Sequence, residues 1–261
     1  MQPLRAKIEL TPCSLGKVPI QTQMTTPILI SIEGNIGAGK STLLQKLKAA
    51  HPEWFFVDEP VAQWMALQNA DGTSLLELFY KDKQRWSYTF QNVAVLTRAE
   101  ELRKTLDLAA ESGTESPVIV MERCLDTDAE VFARMLKDEG CLNQIEWDLY
   151  QRWRKVLIET FNLPKTTGYI WMDASPLVCA ERIKMRARHG EEDIPLGYLE
   201  ELDDAHIEWL QSVDSFTRQS SWSKNLQDDL EAVDAFVNRL VSNVEGPSSN
   251  RCKYECYHSS H

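Results

Sequence analysis

The sequence predicts a three-layer α/β fold, in which a parallel β-sheet is covered by helices on both faces. Four short apolar runs have the length of buried strands, and stretches with helical periodicity separate one run from the next. This alternation is typical of parallel sheets, because two parallel strands need a long crossover connection that is usually a helix. The predicted strands are residues 28–32, 55–57, 118–121 and 169–172.

The first predicted strand runs into a glycine-rich loop with the pattern G-x-x-x-x-G-K-[ST]. Glycines let backbone N–H groups converge on a phosphate, and the helix expected to begin at Lys40 presents the positive end of its dipole to the anion. Lys40 adds a point charge near the transferred phosphoryl group, and Ser41 supplies a hard oxygen for Mg²⁺. We therefore expect a nucleoside triphosphate to bind at Gly34, Asn35, Ile36, Gly37, Ala38, Gly39, Lys40, Ser41 and Thr42.

Length and composition fit one α/β domain, because 261 residues with 43% hydrophobic residues can bury a sizeable core. We expect this domain at residues 27–245, between an N-terminal tail or targeting segment (1–26) and a disordered C-terminal tail (246–261). The net charge of −11 disfavours a nucleic-acid partner, and no apolar run is long enough for a membrane span. Mostly well-separated cysteines favour a reducing compartment, either the cytoplasm or, with a presequence, the mitochondrion.

Charged residues follow two of the predicted strands at their carboxyl ends. Asp58 and Glu59 come after the second strand, and Glu122 and Arg123 come after the third. Open parallel sheets bind ligands outside the carboxyl ends of their strands, so these side chains are candidate site residues. A hydroxyl that accepts a phosphoryl group must lose its proton, and Glu59 is a candidate base for that step.

A short arginine-rich stretch forms a second candidate phosphate-binding element. Arg182 and Arg186 are four residues apart and share a helix face, and Arg188 follows closely. Clustered arginines suit a polyphosphate, whose oxygens accept paired hydrogen bonds. Because Gly190 and several acidic residues come next, we interpret this segment as a lid over the phosphates.

A long helix is predicted over residues 84–110, and one of its faces carries polar side chains. Gln91, Ala94 and Arg98 lie on this face, within about two helical turns. The amide of Gln91 can pair a donor and an acceptor with the edge of a base. Arg98 on the same face needs an anionic partner, for which Asp128 is a candidate.

These motifs together resemble the deoxyribonucleoside kinases of the deoxycytidine, deoxyguanosine and mitochondrial thymidine kinase group. The resemblance extends from about residue 28 to residue 210, in the order and spacing of the family. It implies a three-layer P-loop kinase fold with an arginine-rich lid, a homodimer formed through helices, and nucleotide salvage as the role. The matching segments are residues 32–42, 59–61 with Trp64, 85–91, 122–123, 182–188, 194–196 and 198–199.

The resemblance also implies how the reaction is divided among these residues. Glu59 would activate the 5′-hydroxyl of a deoxyribonucleoside, with Arg123 beside it and Lys40 at the phosphates. Ser41 and Glu122 would hold Mg²⁺, partly through water. Phosphates of ATP, or of another nucleoside triphosphate, would be held by Arg182, Arg186 and Arg188.

For the acceptor, the resemblance implies a pocket that recognises both sugar and base. Tyr80 and Glu191 would hold the 3′-hydroxyl, which favours deoxyribose. Gln91 would read the base edge. The base would lie between Phe132 and a wall formed by Ile36, Trp64, Leu76 and Phe90.

The resemblance further implies a base preference. An arginine–aspartate pair at the positions of Arg98 and Asp128 goes with deoxycytidine and purine deoxynucleosides, and Ala94 leaves room for the base. A charged pair fills the space that a thymine methyl group would need and offers hydrogen bonds to an exocyclic amine. A thymidine-preferring or broad-spectrum enzyme is the alternative.

Two departures from the family pattern affect the expected pocket. Asp126 stands where relatives often have a tyrosine, and Ala129 stands where they have an arginine, so the surroundings of the base pocket are expected to differ. The last strand of the family fold is expected near residues 224–227, where the sequence is weakly strand-like.

Two other classes of protein share parts of this pattern. A nucleoside monophosphate kinase would need a basic residue after the second strand, whereas Asp58 and Glu59 would repel a monophosphate. A catalytically silent structural subunit with a kinase-like fold could lose Lys40, Ser41 or Glu59 without harm, but the chain keeps all of them. Both observations favour an active kinase for a neutral nucleoside.

Overall fold

A computed structural model describes residues 26–188, 190–191, 194–213, 218–220 and 226–245 of the chain. The expected tails at residues 1–26 and 246–261 therefore lie outside the described residues, except for residue 26. No helix in the described ranges combines the length and apolar character that a membrane span requires.

A five-stranded parallel sheet forms the centre of the fold, in the order β2-β3-β1-β4-β5. All residues of the central strand β1 are buried, as expected for a strand with neighbours on both edges and helices on both faces. The four predicted strands are confirmed. The strands are β1 (Ile28–Gly34), β2 (Phe55–Val57), β3 (Val118–Glu122), β4 (Gly168–Met172) and β5 (Arg218–Ser220).

The predicted position of the last strand is wrong. The segment at residues 224–227 contains the start of a helix at Leu226, and the fifth strand lies earlier, at Arg218–Ser220. This strand pairs with β4 on one edge of the sheet only. An edge strand can form from backbone pairing without an apolar run, so its sequence does not resemble that of a buried strand.

Helices surround the sheet in a three-layer α/β arrangement, as predicted. The long helix predicted at residues 84–110 is confirmed as α4, and a π-helical segment (Asp128–Ala133) lies between α5 and α6. The helices are α1 (Lys40–Ala50), α2 (Val61–Ala66), α3 (Leu75–Lys81), α4 (Lys83–Glu111), α5 (Leu125–Thr127), α6 (Arg134–Asp138), α7 (Gln144–Thr160), α8 (Pro176–Arg186), α9 (Leu196–Ser212) and α10 (Leu226–Glu245).

The sheet places the chemically important loops side by side. Strand β1 pairs in register with β3, so that Ile32 lies opposite Glu122, and β3 pairs in turn with β2. Because the strands are parallel, their carboxyl ends meet at one edge of the sheet. The loop after β1, the segment after β2 and the residues at the end of β3 therefore converge there.

Candidate active site

Two adjoining cavities lie at the carboxyl edge of the sheet. One, the loop cavity, follows the glycine-rich loop and α8. The other, the enclosed cavity, is less open to solvent and extends between α3, α4 and the π-helical segment. The two cavities share lining residues, namely Gly37, Lys40, Glu122, Arg186 and Arg188. A group bound in one cavity can therefore reach a group bound in the other.

The glycine-rich loop has the backbone shape of a phosphate-binding loop. Gly37 and Gly39 have φ angles of 81° and 105°, in the left-handed region that glycine adopts without strain. A Cβ at Gly37 would lie 2.7 Å from the carbonyl oxygen of Cys179, so the loop can pass α8 only with glycine there. The Nζ atom of Lys40 donates to the carbonyl of Asn35 at 2.8 Å. This bond holds the ammonium group at the centre of the loop.

Lys40 carries an unusually acidic ammonium group. Its pKa is lowered to about 8, mainly by burial and secondly by the positive charge of Arg123. The carboxylates of Glu122, Glu59 and Glu33 oppose this shift. A bound polyphosphate would reverse this shift, because an anion favours the protonated form.

Ser41 and Glu122 place two hard oxygen atoms side by side at the entrance of the loop. The hydroxyl of Ser41 donates to Oε1 of Glu122 at 3.0 Å. Burial raises the pKa of Glu122, and the nearby charge of Glu59 raises it further. A hydroxyl and a carboxylate beside a phosphate-binding loop fit Mg²⁺, which prefers oxygen ligands and would offset the cost of burying that carboxylate.

Glu59, which is partly buried, and the buried Arg123 form an ion pair in the wall of the enclosed cavity. Nη1 of Arg123 donates to Oε1 of Glu59 at 2.7 Å, and Nη2 donates to the carbonyl of Gly34 at 3.0 Å. The backbone of Arg123 has a φ of 62°, a strained value for a non-glycine residue that aims the guanidinium at the site. Burial alone would raise the pKa of Glu59, but Arg123, Arg98 and Lys40 lower it to about 2.

Arg98 is a fully buried cation on α4. Its Nε atom donates to Oδ2 of Asp128 at 2.8 Å, so the predicted Arg98–Asp128 ion pair is formed. Its Nη1 atom donates to the backbone carbonyl of Glu122 at 2.7 Å, and Nη2 lies 3.7 Å from Oε1 of Glu59. A single guanidinium thus connects the helix α4 with the ends of β2 and β3.

Aromatic side chains line the enclosed cavity. The rings of Phe79 and Phe90 are stacked, with centroids 4.5 Å apart, and Trp64 contacts Phe90 edge-on at 5.3 Å. Phe132 lines the same cavity, and its ring lies 4.9 Å from the guanidinium carbon of Arg123. Flat rings of this kind suit a planar, apolar-faced ligand such as a nucleobase.

Gln91 supplies a polar group among these apolar walls. Its side chain is buried, and its Oε1 atom has no hydrogen-bond partner in the part of the chain that the structure describes. A buried acceptor without a partner is costly, so the site favours a ligand that donates a hydrogen bond there. Ala94 lies about one turn further along α4 and lines the same cavity.

The opposite end of the enclosed cavity is polar and faces the arginine-rich segment. Tyr80 lies there, and burial raises its pKa well above the usual value, so the phenol remains a hydrogen-bond donor. The buried carboxylate of Glu191 accepts hydrogen bonds from Arg186 and, at 3.0 Å, from Arg188. Arg182 lies nearer the loop and donates to the carbonyl of Ala38 at 3.0 Å.

Most residues predicted from the sequence lie around these two cavities. Exceptions are Gly34, Asn35 and Ala38, which shape the loop but line neither cavity. The predicted residues that line the enclosed cavity are Ile36, Gly37, Lys40, Glu59, Trp64, Leu76, Tyr80, Phe90, Gln91, Ala94, Arg98, Glu122, Arg123, Asp128, Phe132, Arg186, Arg188 and Glu191. The predicted residues that line the loop cavity are Gly37, Gly39, Lys40, Ser41, Thr42, Glu122, Arg182, Arg186 and Arg188.

Asp58 was a candidate site residue, and the structure contradicts this assignment. Its side chain is 61% exposed and forms an ion pair with Lys48 on α1. In the extended backbone of strand β2 and the segment after it, neighbouring side chains point to opposite sides, so Glu59 enters the cavity and Asp58 does not. Asp126 does not line the enclosed cavity either. It pairs with Arg154 and approaches Tyr169 outside it.

Some lining residues were not predicted. Phe79 lies three residues after Leu76 and next to Tyr80, so the helical period of α3 could have placed it in the wall. Val61 follows Pro60 and lines the cavity with Glu59. Tyr198, near the start of α9, belongs to a segment that matches the family, but the match gave it no role in the site, and tertiary packing brings it to the cavity.

Comparison with known proteins agrees with this geometry. A sequence model of the deoxynucleoside kinase family matches residues 30–245. Mouse deoxycytidine kinase is 38% identical over 194 residues, which cover 69% of this chain and 74% of that protein. Human deoxycytidine kinase is 37% identical over the same coverage of 69% and 74%. The mitochondrial deoxyguanosine kinase of Xenopus laevis is 34% identical over 238 residues, with 83% of this chain and 89% of that protein covered. The chain therefore belongs to the deoxynucleoside kinase family.

Proposed function

We propose that this chain transfers the γ-phosphate of ATP to the 5′-hydroxyl of a deoxyribonucleoside, with deoxycytidine and purine deoxynucleosides as preferred acceptors. The observation that carries this proposal is the place of Glu59. Its carboxylate lines the enclosed aromatic cavity, and Lys40 and Glu122, which line that cavity too, also line the phosphate-loop cavity. A base at this boundary can act on a hydroxyl that faces a triphosphate.

The donor side fits a magnesium triphosphate. The backbone of the glycine-rich loop and Lys40 would cradle the phosphates, and Arg182, Arg186 and Arg188 would neutralise their charge. Ser41 and Glu122 would hold Mg²⁺, which supplies positive charge at the phosphate oxygens when bound. Another nucleoside triphosphate could replace ATP, because these contacts involve phosphates rather than a base.

The acceptor side fits a neutral nucleoside. Aromatic rings would enclose the base, Gln91 would read its edge, and Tyr80 with Glu191 would bind the 3′-hydroxyl. The negatively charged carboxylate of Glu59 would lie near the reacting oxygen and would repel an acceptor that already has a phosphate. The ionised Glu59 accepts the 5′-hydroxyl proton while that oxygen bonds to the γ-phosphorus and the nucleoside diphosphate leaves. Arg123 holds this carboxylate in place.

Three further parts of the proposal concern the whole protein. The kinase domain occupies residues 27–245, and the cytoplasm is the expected compartment, with the mitochondrion as the alternative.

The enzyme is a homodimer. Helix α7 supports this, because Ile145, Leu149, Trp153 and Val156 form an exposed apolar stripe spaced by four, four and three residues. Apolar stripes of this kind favour association with a second surface.

Glu59→Gln should lower kcat by about 100-fold or more, because a positioned base contributes roughly 10²–10⁴-fold. The deoxynucleoside should still bind, since glutamine is close in shape. Steady-state kinetics and calorimetric titration measure the two effects. The matched control is Asp58→Asn, which removes the neighbouring but exposed carboxylate and should leave kcat unchanged. Normal turnover in Glu59→Gln would exclude Glu59 as the base.

The wild-type enzyme should phosphorylate deoxycytidine, deoxyadenosine or deoxyguanosine faster than thymidine, in assays with ATP and Mg²⁺.

Arg98→Met combined with Asp128→Ala should raise thymidine use relative to deoxycytidine, because the charged pair no longer occupies the space of the methyl group. The control is Arg154→Met with Asp126→Ala, which removes an ion pair outside the base cavity. An unchanged ratio would contradict the assigned pocket. No turnover of any nucleoside by folded protein would instead favour the silent-subunit alternative.

The kcat/KM for ATP should fall above about pH 8, toward roughly tenfold per pH unit, because the free enzyme loses the proton of Lys40 there. The kcat at saturating ATP should persist to higher pH, since bound phosphates raise the pKa of Lys40. Arginine stays charged throughout this range, so Lys40→Arg should lack the alkaline decline in its residual activity. A similar decline in that variant would assign the titration to another group.

Trp153→Glu should convert the dimer to a monomer, because a charge in the centre of an apolar interface is costly to bury. Sedimentation velocity measures the change. Leu177→Glu is the control, since Leu177 is another exposed apolar residue, on α8. A monomeric wild-type protein, or a Trp153→Glu variant that remains dimeric, would contradict the assignment of this surface.

A further inference from the structure

Glu33 is a buried carboxylate that takes no part in the proposed phosphoryl transfer. It lies at the end of β1, one residue before the glycine-rich loop begins, and is fully buried. Its Oε1 atom accepts hydrogen bonds from the hydroxyls of Ser31 and Thr127, each at 2.5 Å. Because burying a carboxylate is costly, its presence here calls for a structural or functional reason.

Thr127 connects this carboxylate to the base-reading part of the site. Its hydroxyl donates a hydrogen bond to Glu33 and accepts one, at 3.3 Å, from the backbone N–H of Cys124. The bond to Glu33 fixes the short helix α5 against β1, and the bond from Cys124 caps the start of that helix. The next residue is Asp128, which begins the π-helical segment and binds Arg98.

We propose that Glu33 and Thr127 are positioning residues that set base selectivity by holding Asp128 in register with Arg98. This inference rests on the proposed function. Neither residue lines the nucleoside cavity, so their effect passes through the backbone between Thr127 and Asp128. A shift of Asp128 along the cavity would change which base edges and substituents the Arg98–Asp128 pair accepts.

The surroundings of Glu33 argue against a simple space-filling role. Its Oε2 atom has no hydrogen-bond partner among the described residues, so orientation depends on the two hydroxyl donors at Oε1. Burial raises the pKa of Glu33, although the hydrogen bonds from Ser31 and Thr127 and the charges of Arg123 and Arg98 oppose the shift. Loss of the Thr127 hydroxyl would therefore release the turn that carries Asp128 while leaving the carboxylate bound to Ser31.

Three variants test the inference. The measured quantity is the kcat/KM for the best non-thymidine substrate divided by the kcat/KM for thymidine. Thr127→Val keeps the shape but removes the hydroxyl, and should lower this ratio by about five- to tenfold, chiefly through a higher KM for the preferred nucleoside. Thr127→Ser keeps the hydroxyl and should preserve the ratio. Ser31→Ala removes the other hydrogen bond to Glu33, which has no connection to Asp128, and should also preserve it.

Two results would overturn the inference. One is an unchanged ratio in Thr127→Val, and the other is an equal loss in Ser31→Ala, which would mark the network as general support for the fold. Thermal unfolding of each variant accompanies the kinetics, and Thr127→Ala replaces Thr127→Val if the valine is not accommodated. Wild-type protein that phosphorylates no deoxynucleoside would refute the proposed function itself, before any variant is compared.

Discussion

The buried guanidinium of Arg98 is the constraint on which the rest of the site depends. Burial would lower its pKa, but Asp128 and Glu59 raise it above the ordinary value, so the cation is permanent. Its hydrogen bonds reach Asp128 and the carbonyl of Glu122. A charge at this depth is tolerated only with its partners in place, and removing one partner leaves the others uncompensated. Helix α4, the end of β3 and the π-helical segment are therefore held in one arrangement.

The same electrostatics bear on the proposed role of Glu59 as the base, because they hold its pKa at only about 2. A carboxylate this acidic is a weak base toward a free hydroxyl, but it is always ionised and always able to accept a hydrogen bond. In a loose transition state for phosphoryl transfer, the attacking oxygen becomes acidic only as its bond to phosphorus forms. Orientation of the hydroxyl then matters more than basicity, and the hydrogen bond from Arg123 supplies a fixed orientation.

What the sequence reveals depends on whether the cause of a feature is local. The strands at residues 28–32 and 118–121 could be predicted because buried parallel strands need apolar runs, and the glycine-rich loop has a fixed spacing. The edge strand Arg218–Ser220 could not, because backbone pairing on one side requires no such run. Likewise the strained backbone of Arg123 and the position of Tyr198 arise from contacts between distant elements.

The distribution of charge limits what the donor cavity can bind. The chain has a net charge of −11, yet Lys40, Arg182, Arg186 and Arg188 converge on one cavity. Positive charge that is confined to a cleft in an acidic protein attracts a small polyanion, whereas an extended one such as nucleic acid would meet repulsion outside the cleft. Glu122 and Ser41 add two oxygen atoms at the same place, which fits the proposed divalent cation on that polyanion. The contrast between a cationic cleft and its acidic surroundings therefore supports the proposal that the donor is a metal–triphosphate complex.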